Sequence, residues 1–221
     1  GLEKYFKGKQ GLDCYLKYLE GLKHYTGHNV EDLRVARRIA EEAIVMCPEI
    51  PMAYRLMANV LWNDHTLGSA KSPGESLDKG IEMVQKALAL DDTYADARVL
   101  LGFLYAFKRE YDKAITEGER ALALNPSGAT AIAFYAASLQ FAGRSKEAIP
   151  LFQKAIRLNP LTFYLYSSLG NALGATGQFE EAVSAYKKAI QLAPDNFGNH
   201  LALAAIYSFM GREKEARAEA T

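Results

Sequence analysis

The stretch "FYLYSSLGNALGATGQFEEAVSAYKKAIQLAPDN", Phe163 to Asn196, decides how the rest of the chain is read. It divides at Gly177 into two amphipathic helical segments, and Pro194 closes it. Moving along the chain in steps of 34 residues finds the same unit again. Pro126, Pro160 and Pro194 keep that step, and Asp92 holds the place one step earlier. Cutting at that step gives units 95–128, 129–162 and 163–196, and a clipped unit 197–221.

The recurring residues follow a packing logic. Position 8 of each unit is small (Gly102, Ala136, Gly170, Ala204), and so is position 20 (Ala114, Ala148, Ala182, Ala216). Small residues facing each other let paired helices approach closely. Tyr105, Phe152, Leu173 and Tyr186 are among the larger groups that fill the space around them. Gly143, Gly177 and Gly211 fall at the turn, where a positive φ is cheapest. Proline at position 32 cannot extend the second helix and so ends it.

These residues resemble the tetratricopeptide repeat family. The resemblance implies an all-α, right-handed solenoid of antiparallel helix pairs. Departures exist: Asp92 replaces the closing proline, Gly118 replaces a bulky residue, and Pro150 lies inside a second helix, where it is expected to kink it.

Upstream, 51–94 is the same unit with ten residues added. Both its ends fit the pattern, so the additions are expected between its helices, as a surface excursion around "WNDHTLGSAKSPGESL" (62–77). Ser72 reads as the N-cap of the returning helix, with Pro73 at its first position and Glu75 reaching back in a capping box. Residues 13–50 read as an atypical N-terminal helix pair with Asn29 as an N-cap, and 1–12 as a linker from a preceding segment. The lead-in "LDCYLKYLEGLKHYTGHNVEDLRVARRIAEEAI" and the long second repeat resemble, more narrowly, the repeat region C-terminal to bacterial class III adenylate and guanylate cyclase domains. That resemblance implies a regulatory module of a larger bacterial signalling protein.

Composition bounds the alternatives. Lys plus Arg and Asp plus Glu both number 26, so the formal net charge is zero and the basic excess of a nucleic-acid reader is missing. No apolar run approaches the roughly 20 residues of a membrane helix. The N-terminus lacks the uninterrupted apolar core of a signal peptide. Cys14 and Cys47 are too few for a disulfide framework or a zinc site and read as free thiols in a reducing, cytoplasmic setting. His24 and His28 have a chelating spacing, but Gly27 interrupts it and no third ligand is near. His65 is expected in solvent and His200 at a packing position. No catalytic constellation, cofactor motif or metal site emerges, so no enzymatic activity is assigned to these residues.

The resemblance places the functional surface on the concave side, lined by the first helix of each pair. Its candidate peptide-binding residues are Arg55, Asn59, Trp62, Phe103, Gln140, Tyr164 and Asn171. They make a nearly uncharged groove with aromatic points, suited to an extended or helical segment with apolar anchors. Arg55 and Asn59 resemble half of the family's carboxylate clamp, but Leu100, Thr130 and Phe134 occupy the other clamp positions, so an acidic chaperone tail is disfavoured. The expected partner is a protein or peptide, or a second copy of the chain, with no direct nucleic-acid or membrane contact.

Overall fold

The computed structural model describes residues 8–26, 30–66 and 73–219. Twelve α-helices and no strand occur among them. The readings at Gly27, His28, Asn29 and Ser72 lie outside the described residues. The chain divides into two compact units, 1–108 and 109–221.

The first unit holds α1 (Gly8–Tyr25), α2 (Val30–Met46), α3 (Pro51–Thr66), α4 (Pro73–Leu90) and α5 (Ala95–Phe107). Helix α3 is its centre and touches α1, α2, α4 and α5. Nine of its residues, Pro51 to Ala53 and Leu56 to Leu61, are accordingly buried, far more than one face. Such all-round burial belongs to a helix with neighbours on every side. The core gathers Met52, Leu56, Ala58 and Leu61 of α3 with Ile81 and Val84 of α4 and Leu100 and Leu104 of α5.

The ten extra residues of this unit are distributed differently from the expectation. The first helices at 95, 129, 163 and 197 have 13 residues, whereas α3 has 16. The second helices α6, α8 and α10 have 14, whereas α4 has 18. Seven of the ten therefore lengthen helices, and residues 67–72 lie outside the described residues. The cause is in the sequence: His65 stands where later repeats place the turn glycine, so "LWNDH" carries no Gly or Pro to stop α3, and Pro73 opens α4 early. His65 consequently stands in the last turn of α3 with its ring 5.7 Å from that of Trp62, and is half-buried rather than solvated. Glu75 pairs with Lys79 one turn on, at 2.6 Å.

Cys14 and Cys47 are joined in a disulfide, which corrects their reading as free thiols. Cys14 lies midway along α1 and Cys47 directly follows α2. The packing of α1 against α2 sets their Cα atoms 6.2 Å apart, within bridging distance. Counting cysteines could not show this, because 33 positions separate the two along the chain. The expectation of a reducing compartment loses its support.

The second unit holds α6 (Tyr111–Leu124), α7 (Ala129–Phe141), α8 (Ser145–Leu158), α9 (Phe163–Ala175), α10 (Phe179–Leu192), α11 (Phe197–Phe209) and α12 (Glu213–Glu219). Ala136, Ala148, Gly170 and Ala182 are all buried at the pairs α7/α8 and α9/α10. An aromatic from the second helix covers each small residue: Phe152 packs with Ala136, and Tyr186 lies on Gly170. A methyl at Gly170 would stand 2.8 Å from Tyr186 Cε2. At Gly118 the arrangement inverts, and Tyr135 of the next helix fills the space left by the missing side chain. Gly143, Gly177 and Gly211 have φ of 79°, 79° and 72°, and Arg109, at the same position of its repeat, has φ 61°. Helix α8 continues through Pro150 as one element from Ser145 to Leu158.

Candidate functional site

The candidate groove residues fall in both units. Arg55, Asn59, Trp62 and Phe103 belong to the first, and Gln140, Tyr164 and Asn171 to the second. Within the first unit, helical spacing on α3 and α5 turns Trp62 and Phe103 toward each other. Their rings meet edge-on with centroids 4.8 Å apart. Phe107, one turn beyond Phe103, completes the cluster at 4.2 Å from Trp62 and 4.8 Å from Phe103. Edge-to-face pairs of this kind are favourable beyond the area they bury. Phe107 keeps 41% of its surface exposed, so the cluster reaches solvent. Phe107 was missed in the sequence reading, although its spacing of four from Phe103 was the available signal.

Asn59 is 9% exposed and offers little surface to a partner. Arg55 lies beneath two tyrosines: Nη2 donates to the Tyr18 hydroxyl of α1, and the guanidinium carbon is 5.5 Å from the Tyr94 ring centre. Burial raises the Tyr94 phenol well above its ordinary value, with Arg55 acting in the opposite direction. Tyr18 is not visible from the repeat pattern as a neighbour of Arg55, because α1 belongs to the irregular N-terminal pair.

In the second unit, Tyr164 is 43% exposed, and its ring meets that of Phe163 edge-on at 6.1 Å. Partial burial raises its phenol above the usual range. Asn171 is exposed, and its Oδ1 accepts from the Tyr186 hydroxyl at 2.7 Å. That bond occupies the amide oxygen and leaves the NH2 group as the free end of the side chain. Burial pushes the Tyr186 phenol up to about 12, so it remains a donor at neutral pH. Gln140 is half-buried at the end of α7. Ser167, on α9, donates to Asn199 Oδ1 of α11 at 2.5 Å.

The histidines take structural positions. His24 Nδ1 is 2.9 Å from Asp32. His200 Nδ1 is 2.8 Å from Glu219 Oε2, and its Nε2 is 3.0 Å from the Pro194 carbonyl oxygen. The Glu219 bond, aided by the Pro194 carbonyl, raises the imidazole above its ordinary value. Among the described residues no group of three or more His, Cys, Asp or Glu side chains could hold a metal. No helix among them is long and apolar enough to cross a membrane.

Repeat length, paired helices and small-residue seams together define a helical-repeat protein. Family models of the tetratricopeptide repeat match residues 95–127, 163–196 and 185–218. Over those residues the chain matches the tetratricopeptide repeat, and its fold is an all-α solenoid of that type. No curated protein matches it. Among solved structures it is similar to TTC0263, a thermophilic repeat protein of Thermus thermophilus. That likeness has 18% identity and a TM-score of 0.72, over 88% of this chain and 99% of that one. PilF of Pseudomonas aeruginosa is 16% identical, with a TM-score of 0.70 over 95% of this chain and 90% of its own. YrrB, a repeat protein described as having an unusual peptide-binding site, is 22% identical. Its TM-score is 0.54, over 81% of this chain and 88% of its own. At these identities the likeness establishes the fold alone.

Proposed function

We propose that the chain is a non-catalytic interaction module that takes a peptide segment of a partner protein on the inner faces of its first helices. The observation that carries this reading is the solvent-reaching cluster of Trp62, Phe103 and Phe107, a ready seat for an apolar anchor. In the second unit, taken by itself, Tyr164 and the outward amide of Asn171 offer an aromatic point and a donor for a backbone carbonyl. The peptide-binding neighbour YrrB is consistent with such a use of this fold. The test is affinity selection from a displayed library of random peptides, followed by calorimetry on the best binder. Tyr164→Ala with Asn171→Ala is expected to weaken that peptide at least about tenfold, with an unchanged melting temperature. Undiminished affinity in the folded double variant would remove the second-unit residues from the site.

The narrower proposal is that this module biases the activity of a linked signalling domain, with a nucleotide cyclase as the leading candidate. Its support is the lead-in segment and the long second repeat. Reading the source DNA upstream of Gly1 decides it. An α/β domain with paired metal-binding aspartates supports the cyclase reading. A helix-turn-helix domain would replace it with a transcriptional regulator, and a nearby start codon with a free adaptor.

A further inference from the structure

Helix α1 is held in its unit by packing on α2, by a smaller contact with α3 and by one covalent bond. Gly11 and Gly21 lie inside it, each unfavourable in a helix interior. Leu12, Leu16 and Leu19 are 52%, 54% and 40% exposed, so much of its apolar surface contributes nothing to docking. Its ion pairs, Lys17 with Glu42 and His24 with Asp32, are partly exposed, and pairs of that kind add little. What α1 covers is specific. Tyr18, 6% exposed, holds the Arg55 guanidinium, and Gly21 lies so close to Leu56 that a methyl would not fit. Arg55 Nε is buried without a hydrogen-bond partner. A charge in that condition is costly and gains solvation when uncovered.

We infer that the Cys14–Cys47 disulfide is a redox clasp: closed, it holds α1 over Arg55, and opened, it frees α1 and exposes the guanidinium. Opening requires an external dithiol. One of its thiolates attacks either sulfur, forming a mixed disulfide and expelling the other cysteine as a thiolate. The second thiol of the reagent then displaces the remaining cysteine. The protein gains two electrons and two protons, and the dithiol becomes a disulfide. Cys14 and Cys47 are 4% and 1% exposed, so attack is confined to moments when α1 lifts. Closure is favoured in return because α1 and α2 pack together and bring the two sulfurs into reach. The chain has no other cysteine, so no alternative pairing within it competes. This device does not depend on the peptide-binding reading.

The experiment compares the full chain equilibrated with oxidised glutathione and with dithiothreitol. Reduction should add the mass of two hydrogens and make both thiols alkylatable. Amide exchange over residues 11–25 should accelerate on the order of 100-fold. Arg55 should become reactive to phenylglyoxal, while α4 keeps its protection. The Cys14→Ser, Cys47→Ser double variant should behave as the reduced protein in either buffer. Thiols that remain alkylatable after oxidised glutathione would overturn the clasp. So would unchanged exchange in α1 after reduction, or equal loss of protection throughout α3 and α4.

Discussion

Arg109 holds a backbone conformation that costs an L-residue about 1–2 kcal/mol, at φ 61°. One, two and three repeats later the same position is Gly143, Gly177 and Gly211, for which a positive φ carries no Cβ penalty. Arg109→Gly should therefore stabilise the protein by about 1 kcal/mol, raising its melting temperature by roughly 2–4 °C. Arg109→Ala should give no such rise, since alanine keeps the penalty. An equal rise in both variants would assign the effect to the lost charge. The glycines at the turn were legible from the step alone, and so were the buried small residues at positions 8 and 20. What the step could not show was compensation between repeats. The bulky group missing at Gly118 is replaced by Tyr135, which comes from the following helix. At Asn171 the pattern placed the side chain, but the bond from Tyr186 that directs its amide needed coordinates.

At the scale of helices, α12 is short, and its contact with α11 includes a titratable link. His200 of α11 reaches Glu219, the last residue of α12, and the Pro194 carbonyl, through its two ring nitrogens. Two acceptors call for two N–H donors, which only the imidazolium supplies. The folded pKa is accordingly raised above the ordinary 6.5. Stability from this link is fully present below pH 6.5 and is lost as pH rises through the folded value. The His200 titration followed by NMR should have its midpoint above 6.5, and Glu219→Gln should lower it. A midpoint unmoved by that substitution would show that the pair does not hold α12. The sequence placed helices well where the repeat is regular, because first helices begin at Ala95, Ala129, Phe163 and Phe197 in constant steps. It misjudged 51–94, because a count of inserted residues does not say whether they form loop or extend helices already started. It also misjudged the cysteines, whose proximity arises only once α1 folds back on α2.

Across the whole molecule, balanced charge limits the forces that can bring a partner in. Acidic and basic residues both number 26, and of the seven candidate groove residues only Arg55 is charged. That charge is engaged by Tyr18 and lies against Tyr94 while α1 is docked. Division into two units was not legible from the repeat, which continues across residue 108 without a change of step. Charge, by contrast, is a property of composition and survives any arrangement of the units. Without phosphate or carboxylate recognition, few counterions are released on binding. A nucleic-acid interface with several phosphate contacts would lose on the order of 1,000-fold in affinity between 50 and 200 mM salt. The selected peptide should instead change its Kd by less than about twofold over that range, because apolar anchoring is little screened. Its heat capacity of binding should be negative, as burial of aromatic and aliphatic surface requires. Calorimetry on the oxidised protein at the two salt concentrations and three temperatures measures both quantities. A steep salt dependence would show that the partner is held by charge and would overturn the proposed apolar site.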